Sequence, residues 1–347
     1  MIHRQTLRVF SALILIFFFS RANTQDIHFT LQQMTPLAFN PANTGAFYGS
    51  YRLSGLYRDQ YRSVAGDAGF KTPTFSVDVP VIRGFKKTDW VGVGIFFYTD
   101  KSGSAGLTQS SFKISAAYHW AMNKDATSIL SIAYQTGSVQ REVKDPTKLI
   151  FEDFLVDGTN VDLAAIDNMN KGYLDHVGGL KYTNKFNKTD EFYIGLSAGK
   201  FGRPDWSVLT QGGNYRLYPR VYTQVGMSTV LSDKVRFSPN INYQKIMESH
   251  HSTFVVQGLF DYLYNEEKEI ILKGGLGYRS GAAVGDALQV MLGADIKQIR
   301  VMVGYDINIS NLSAASSGAG GFELAAMYVG KVYKRPKPDP IIFCPRF

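Results

Sequence analysis

The feature that most constrains this chain is a period of two, sustained over runs longer than ordinary strands. In "HVGGLKYTNKFNKTDEFYIGLSAGKF", residues 176–201, Leu180, Tyr182 and Phe186 alternate with Lys181, Thr183 and Lys185. After the polar turn "NKTD", Phe192, Ile194, Leu196 and Ala198 alternate with Tyr193, Gly195, Ser197 and Gly199. Successive side chains of a strand point to opposite faces, so these runs build a sheet whose two faces are unlike. The same character returns in "SFKISAAYHW", "LQVMLGAD" and "IRVMVGYDIN". One set is apolar throughout, while the other carries Lys, Asp, Gly and Ser and is too polar for a dry core.

Fourteen such segments can be placed, near residues 50–62, 70–82, 90–100, 108–121, 127–140, 176–187, 191–201, 219–231, 234–246, 252–264, 269–279, 286–296, 298–309 and 321–333. Most exceed the ~5–6 residues usual in globular sheets and match a tilted membrane crossing of ~9–11 residues plus ends. Alternation by itself does not tell which face meets water. The connections do. Alternate links are brief and polar ("RGFKKTD", "MNKDA", "NKTD", "SDK", "NEEKE", "KQ"), and the links between them are longer and varied, above all residues 141–175, 202–218 and "SNLSAASSGAG". Short turns on one rim and long loops on the other are the pattern of an outer-membrane barrel, with the short set periplasmic. The expected fold is therefore all-β: a transmembrane barrel of about fourteen antiparallel strands, apolar residues toward lipid and Gly, Ser, Thr and Lys toward the lumen. Lys113, Lys181, Lys273, Arg300, Asp261, Asp295 and Asp306 fall on the lumenal set, and aromatics near strand ends suit interfacial girdles.

Composition agrees. Charged residues are 19% of the chain, below the ~25% of soluble domains, beside 33 Gly, 20 Tyr and 24 Phe. The start, "MIHRQTLRVFSALILIFFFSRANTQ", has a basic n-region, an apolar core from Val9 to Phe19 and small residues before Gln25, and reads as a signal peptide over 1–24. Its apolar core is too short to span a bilayer, which takes ~20 residues. The division expected is then 1–24 signal peptide, 25–48 periplasmic or plug segment, 49–333 barrel and 334–347 periplasmic tail. The single Cys344 cannot close an internal disulfide. The net charge of +8 has no basic cluster interleaved with stacking aromatics, so nucleic acid is not an expected partner.

After the leader come "NPANTG" at 40–45, the strand "YRLSGLYRDQYRSV" with "YRDQYR" at 57–62, a Pro-containing second strand "KTPTFSVDVPV" and the ending "CPRF". This combination resembles the PorP/SprF family of outer-membrane proteins of type IX secretion and gliding systems, over the whole mature chain. The motif positions are Asn40, Pro41, Gly45, Tyr57, Arg58, Tyr61 and Arg62. The resemblance implies a non-enzymatic accessory of protein export, working with a secreted, adhesin-like surface protein that carries a C-terminal sorting domain, and in some members with the periplasmic secretion or gliding machinery. A diffusion or substrate-specific channel is the alternative the polar lumen allows.

The largest insertion, 141–175, places Ile150, Phe151, Phe154, Leu155 and Val156 on an outer loop, where they either fold into the barrel mouth or contact a partner. Cys344, beside "IIF" in the Pro-rich tail, is a second candidate contact, with the barrel rim or a periplasmic protein. Glu152, Asp153, Asp157 and Asp162 miss the Asp-x-Asp-x-Asp-Gly order of a calcium loop. His176 beside Asp175, and His250 beside His251, lack the Gly-x-Ser-x-Gly or His-Glu-x-x-His context of a hydrolase. No metal, cofactor or catalytic residue is expected.

Overall fold

The computed structural model describes residues 28–83, 88–148, 170–187, 189–205, 216–249, 252–281, 285–310 and 313–332. Fourteen antiparallel strands close into one barrel: β1 (Tyr51–Gln60), β2 (Phe70–Arg83), β3 (Trp90–Ser102), β4 (Leu107–Ala121), β5 (Ser128–Val143), β6 (Asn170–Lys185), β7 (Glu191–Gly199), β8 (Arg220–Ser232), β9 (Val235–Ile246), β10 (Ser252–Asn265), β11 (Ile270–Ser280), β12 (Gly285–Ile296), β13 (Ile299–Asn308) and β14 (Ala319–Gly330). Each strand pairs with its sequence neighbours, and β1 meets β14 from Tyr51↔Gly330 to Gln60↔Gly321. Closure leaves no unpaired edge, the condition for a sheet to stand in lipid. None of the described helices is long and apolar enough to cross a membrane.

The faces divide as the alternation requires. On β4, Phe112, Ile114, Tyr118 and Trp120 are exposed on the outside, whereas Ser111, Lys113, Ser115, Ala117 and His119 are buried inside. On β12 and β13, Leu288, Leu292, Val301, Val303 and Ile307 face out, and Gln289, Met291, Met302, Asp306 and Asn308 face in. These outward positions carry apolar side chains, as the lipid-facing band of an outer-membrane barrel does.

The β5–β6 hairpin runs further than the sequence segments do. Each of its strands has 16 residues, and pairing continues through Val139↔Tyr173 to Glu142↔Asn170. Along the outer face of β5, Ile132 and Tyr134 give way to Thr136, Ser138, Gln140 and Glu142. The apolar period that marks a membrane crossing ends there, although ladder hydrogen bonding goes on. The insertion therefore narrows to 144–169, and Ile150, Phe151, Phe154 and Leu155 lie outside the described residues, as do the leader, Cys344 and the tail.

Candidate functional site

The lumen is occupied by the chain's own beginning. Between His28 and Ser50 the backbone makes only short turns: a 3-10 turn at Gln32–Met34, one helical turn at Pro36–Phe39 and a second 3-10 turn at Pro41–Asn43. Pro36 and Pro41 open theirs, where a missing N–H costs nothing. A segment of this kind cannot satisfy its own polar groups. Buried backbone amides and carbonyls must still be paired, and here the inner wall of the barrel pairs them.

Toward the long-loop rim the partners are charged. The Thr30 and Leu31 amides donate to Glu323 Oε1 and Oε2 at 2.7 Å each. Arg58 Nη1 also donates to Glu323, and its Nη2 reaches Asp306 Oδ2 at 2.8 Å. Arg279 Nη1 donates to the same Asp306 oxygen at 2.9 Å, while Thr30 Oγ1 donates to Oδ1. Gln257 Nε2 donates to the Thr30 carbonyl at 2.7 Å. Arg58, Asp306 and Glu323 are each at most 2% exposed. Two guanidiniums and two carboxylates from β1, β11, β13 and β14 thus close around one peptide unit of the segment. Removing Arg58 would strand the buried Glu323 carboxylate, at a cost of ~3–5 kcal/mol.

Midway, Phe29, Leu31 and Met34 pack against Leu56, Leu259, Met291, Met302, Ala325 and Met327. Gln33 Nε2 sits 3.5 Å from the Met302 sulfur. Across the lumen, Gln135 Nε2 donates to the Leu37 carbonyl at 3.3 Å and Ser197 Oγ donates to the Phe39 carbonyl at 2.5 Å. Flexible thioethers suit an irregular segment laid against a curved wall.

Residues 40–45 clamp the segment to the short-turn half of the wall. Asn40 Oδ1 accepts from the Ala42 amide at 2.9 Å, as an N-cap does, and Asn40 Nδ2 donates to the carbonyls of Leu180 and Leu196 at 3.0 and 3.4 Å. Asp78 Oδ2 accepts from the Gly45 amide at 2.6 Å and from Arg52 Nη2 at 2.8 Å, and the same Nη2 donates to the Asn43 carbonyl at 2.9 Å. His119 Nε2 lies 2.8 Å from the Thr44 carbonyl. A carbonyl can only accept, so that nitrogen carries the proton, and Nδ1 accepts from Ser131 Oγ at 2.7 Å. Its partners are thus a carbonyl and a hydroxyl, and the Trp90 ring stacks on the imidazole with centroids 4.5 Å apart.

Lumenal glycines are the sockets. A Cβ on Gly179 would lie 2.4 Å from Asn40 Oδ1, one on Gly195 2.7 Å from Gln224 Nε2 and 2.9 Å from Asn40 Nδ2, and one on Gly304 3.1 Å from Leu31 Cγ. The glycines on the polar face therefore admit backbone to the wall.

Of the motif residues, Asn40, Pro41, Gly45 and Arg58 come together on this segment and its wall. Tyr57 points outward and is 40% exposed, Tyr61 turns the chain at the rim with φ +62°, and Arg62 pairs with Asp59 at 3.3 Å. Glu323 and Arg279 were missed, although Glu323 stands out between Phe322 and Leu324 as an acid on a lumenal position. Among the described residues no group of three or more His, Cys, Asp or Glu could hold a metal ion.

A family model described as type IX secretion system membrane protein PorP/SprF matches residues 22–328. The chain belongs to this family. No curated protein matches its sequence. Among solved structures, the CymD monoaromatic hydrocarbon channel superposes with a TM-score of 0.50 at 12% identity, over 88% of this chain and 95% of that one. The toluene transporter TodX of Pseudomonas putida gives 0.50 at 9% identity, over 89% and 99%. At such identity the likeness is one of fold: this PorP/SprF protein shares the outer-membrane barrel architecture of those channels.

Proposed function

We propose that the protein is a non-enzymatic outer-membrane accessory of type IX secretion, which docks or retains an exported surface protein at its long-loop rim. Membership of the PorP/SprF family supports the secretion role, and the family resemblance supports a partner bearing a C-terminal sorting domain. The observation that carries the docking reading over a through-channel is the lumen itself. Residues 29–45 cross it and are fixed by buried ion pairs at one end and by the Asn40–Gly45 clamp at the other. Opening that path would break several buried charge contacts together. A stable protein contact needs ~600–1,000 Å² per partner, and the loops at 144–169, 200–219 and 309–318 can offer that area where the short turns cannot. Ile150, Phe151, Phe154 and Leu155 would supply its apolar part.

The test deletes residues 149–169 and follows two readouts. Heat-modifiable migration in detergent gels should persist, because the β5–β6 ladder ends before the deletion, while the exported partner should be lost from the membrane fraction. A correctly inserted deletion chain that keeps its partner at wild-type level overturns the docking site. The fold shared with hydrocarbon channels favours the second reading, a channel, and steady conductance of the intact protein in planar bilayers would establish it.

A further inference from the structure

The outward face of β2, β3 and β4 changes chemistry in ordered rows as it nears the long-loop rim. Phe75, Phe97 and Phe112 form the first row, since Phe75 pairs with Phe97 and Phe97 with Phe112, and all three are exposed. Two residues nearer the rim stand Pro73, Thr99 and Ser110, with Thr99 Oγ1 and Ser110 Oγ 3.2 Å apart. Two residues further come Lys71, Lys101 and Thr108, again in register. Lys144 joins them from β5's outer end: a Cβ on Gly106 would lie 3.4 Å from Lys144 Cβ and 3.6 Å from Lys101 Cε. Three cations thus gather on one patch, which Glu142, opposite Thr108, closes on the β5 side. The Gly103 amide donates to the Ala68 carbonyl at 2.9 Å, which ties the β3–β4 turn to the loop before β2.

Lys71 and Lys101 are the one cross-strand pair of lysines among the described strands. Like charges directly opposite each other weaken a ladder. Lys71 has the exposed Asp67 at 2.9 Å, whereas Lys101 and Lys144 make no ion pair with a carboxylate among the described residues. An anion seated between the lysines would turn their repulsion into attraction. The barrel's setting says where that anion comes from, because lipid covers its outward side. Read toward the rim, the rows follow the order of an anionic lipid: phenyl rings for acyl chains, hydroxyls for the sugar or glycerol, cations for the phosphate. Four residues separate the lysine and phenylalanine rows on β2 and β3, ~13 Å along a strand and ~10 Å of depth at the usual tilt. Lysine stems reach back over apolar surface while their heads stay polar. We propose that this patch binds a phosphate-bearing glycolipid of the outer leaflet, with the phosphate held by Lys71, Lys101 and Lys144 and the acyl chains lying on Phe75, Phe97 and Phe112. The site does not depend on the docking reading above.

The test uses the purified full chain in neutral detergent, with diphosphoryl lipid A as the probe and its fully dephosphorylated form as the control. The wild-type protein should bind the phosphorylated lipid roughly tenfold or more tightly than the control, as clustered lysines at a membrane surface do with anionic headgroups. Equal affinity for the two overturns the proposal without any variant. Lys71→Gln combined with Lys101→Gln should remove most of that preference and leave binding of the dephosphorylated lipid unchanged. Lys245→Gln, at an outward position of β9 near the same rim, should bind as wild type does. A double variant that keeps the wild-type preference overturns the site, and so does a Lys245→Gln chain that loses as much. Inorganic phosphate should not displace the lipid; displacement would mean that the lysines hold a free anion, and would overturn the lipid reading. Heat-modifiable migration checks that each chain is folded.

Discussion

Gly45 and Gly92 meet backbone to backbone: a Cβ on Gly45 would lie 2.6 Å from Gly92 Cα, and one on Gly92 would lie 2.2 Å from the Thr44 carbonyl oxygen. Gly45 also holds φ +71°, a left-handed conformation that costs a non-glycine residue roughly 1–2 kcal/mol. The two glycines let the lumenal segment touch β3 where it turns toward β1. Gly92→Val should therefore unseat residues 43–45 and lower stability by about 1–3 kcal/mol, the range for overpacking a filled site. The barrel strands stay paired, so heat-modifiable migration should persist at room temperature while its thermal midpoint falls. A midpoint equal to wild type would mean the contact is not close in solution.

Arg58 is the centre of the buried charge cluster, and its removal should be one of the most damaging single changes in the lumen. Arg58→Met leaves Glu323 without its guanidinium, whereas Asp306 keeps Arg279. The expected loss is ~3–5 kcal/mol, the cost of stranding a buried charge. Adding Glu323→Gln removes the stranded charge and keeps one carbonyl oxygen to accept from the segment, so the double variant should recover part of the loss. Unfolding midpoints of the four chains in detergent form the double-mutant cycle. Additive effects would rule out coupling between the two side chains.

How much of this was legible follows from what period two can encode. The strands were visible because Leu288, Val290, Leu292 and Ala294 on one strand, and Ile299, Val301, Val303, Tyr305 and Ile307 on the next, keep the outward face free of charge, while Met291 and Met302 are the apolar residues that turn inward. β6 was placed late, at 176 in place of Asn170, because above Leu174 its pairing continues with polar outward residues and the signal stops with the membrane. The lumenal set was readable as polar, and Asp306 and Lys273 were on it. What fills the lumen was not readable, since one strand's inner face does not reveal its partner across the barrel. Arg58, Asp306 and Glu323 are joined by tertiary closure over separations of 248 and 265 residues. The glycines at 92, 179, 195 and 304 looked like small lumenal residues; only the presence of Asn40, Thr44 and Leu31 opposite them makes them sockets.

Removing the segment should change what the barrel conducts. Deleting residues 29–44 takes away the lumenal backbone and leaves a wall lined by Arg58, Lys113, Lys181, Lys273, Asp78 and Asp306, all at inward positions. Polar, charged walls hold water and ions in wide barrels. The intact protein should show no steady ion conductance in planar bilayers, and the deletion should show discrete open steps. Equal conductance from both would place the ion path somewhere other than the lumen and favour the channel reading.

Asn40 separates two roles that a sequence motif leaves merged. As the cap of the Pro41–Asn43 turn it needs only an acceptor, and Asp caps as well as Asn. As a bridge to the barrel it needs a donor, because Nδ2 faces the carbonyls of Leu180 and Leu196, the register pair of β6 and β7. Asn40→Asp keeps the shape and the cap but turns a buried carboxylate toward two carbonyl oxygens, with Gly179 and Gly195 leaving no room to swing away. If bridging governs, this variant should lose about 2–5 kcal/mol, combining unsatisfied acceptors with an unpaired buried charge. Asn40→Ser, which caps but reaches neither carbonyl, should lose less because it buries no charge. The measurement is the thermal midpoint of band migration, together with protease access to residues 28–48. An Asn40→Asp protein as stable as wild type would reduce Asn40 to a local cap and remove the reason for its place in the motif.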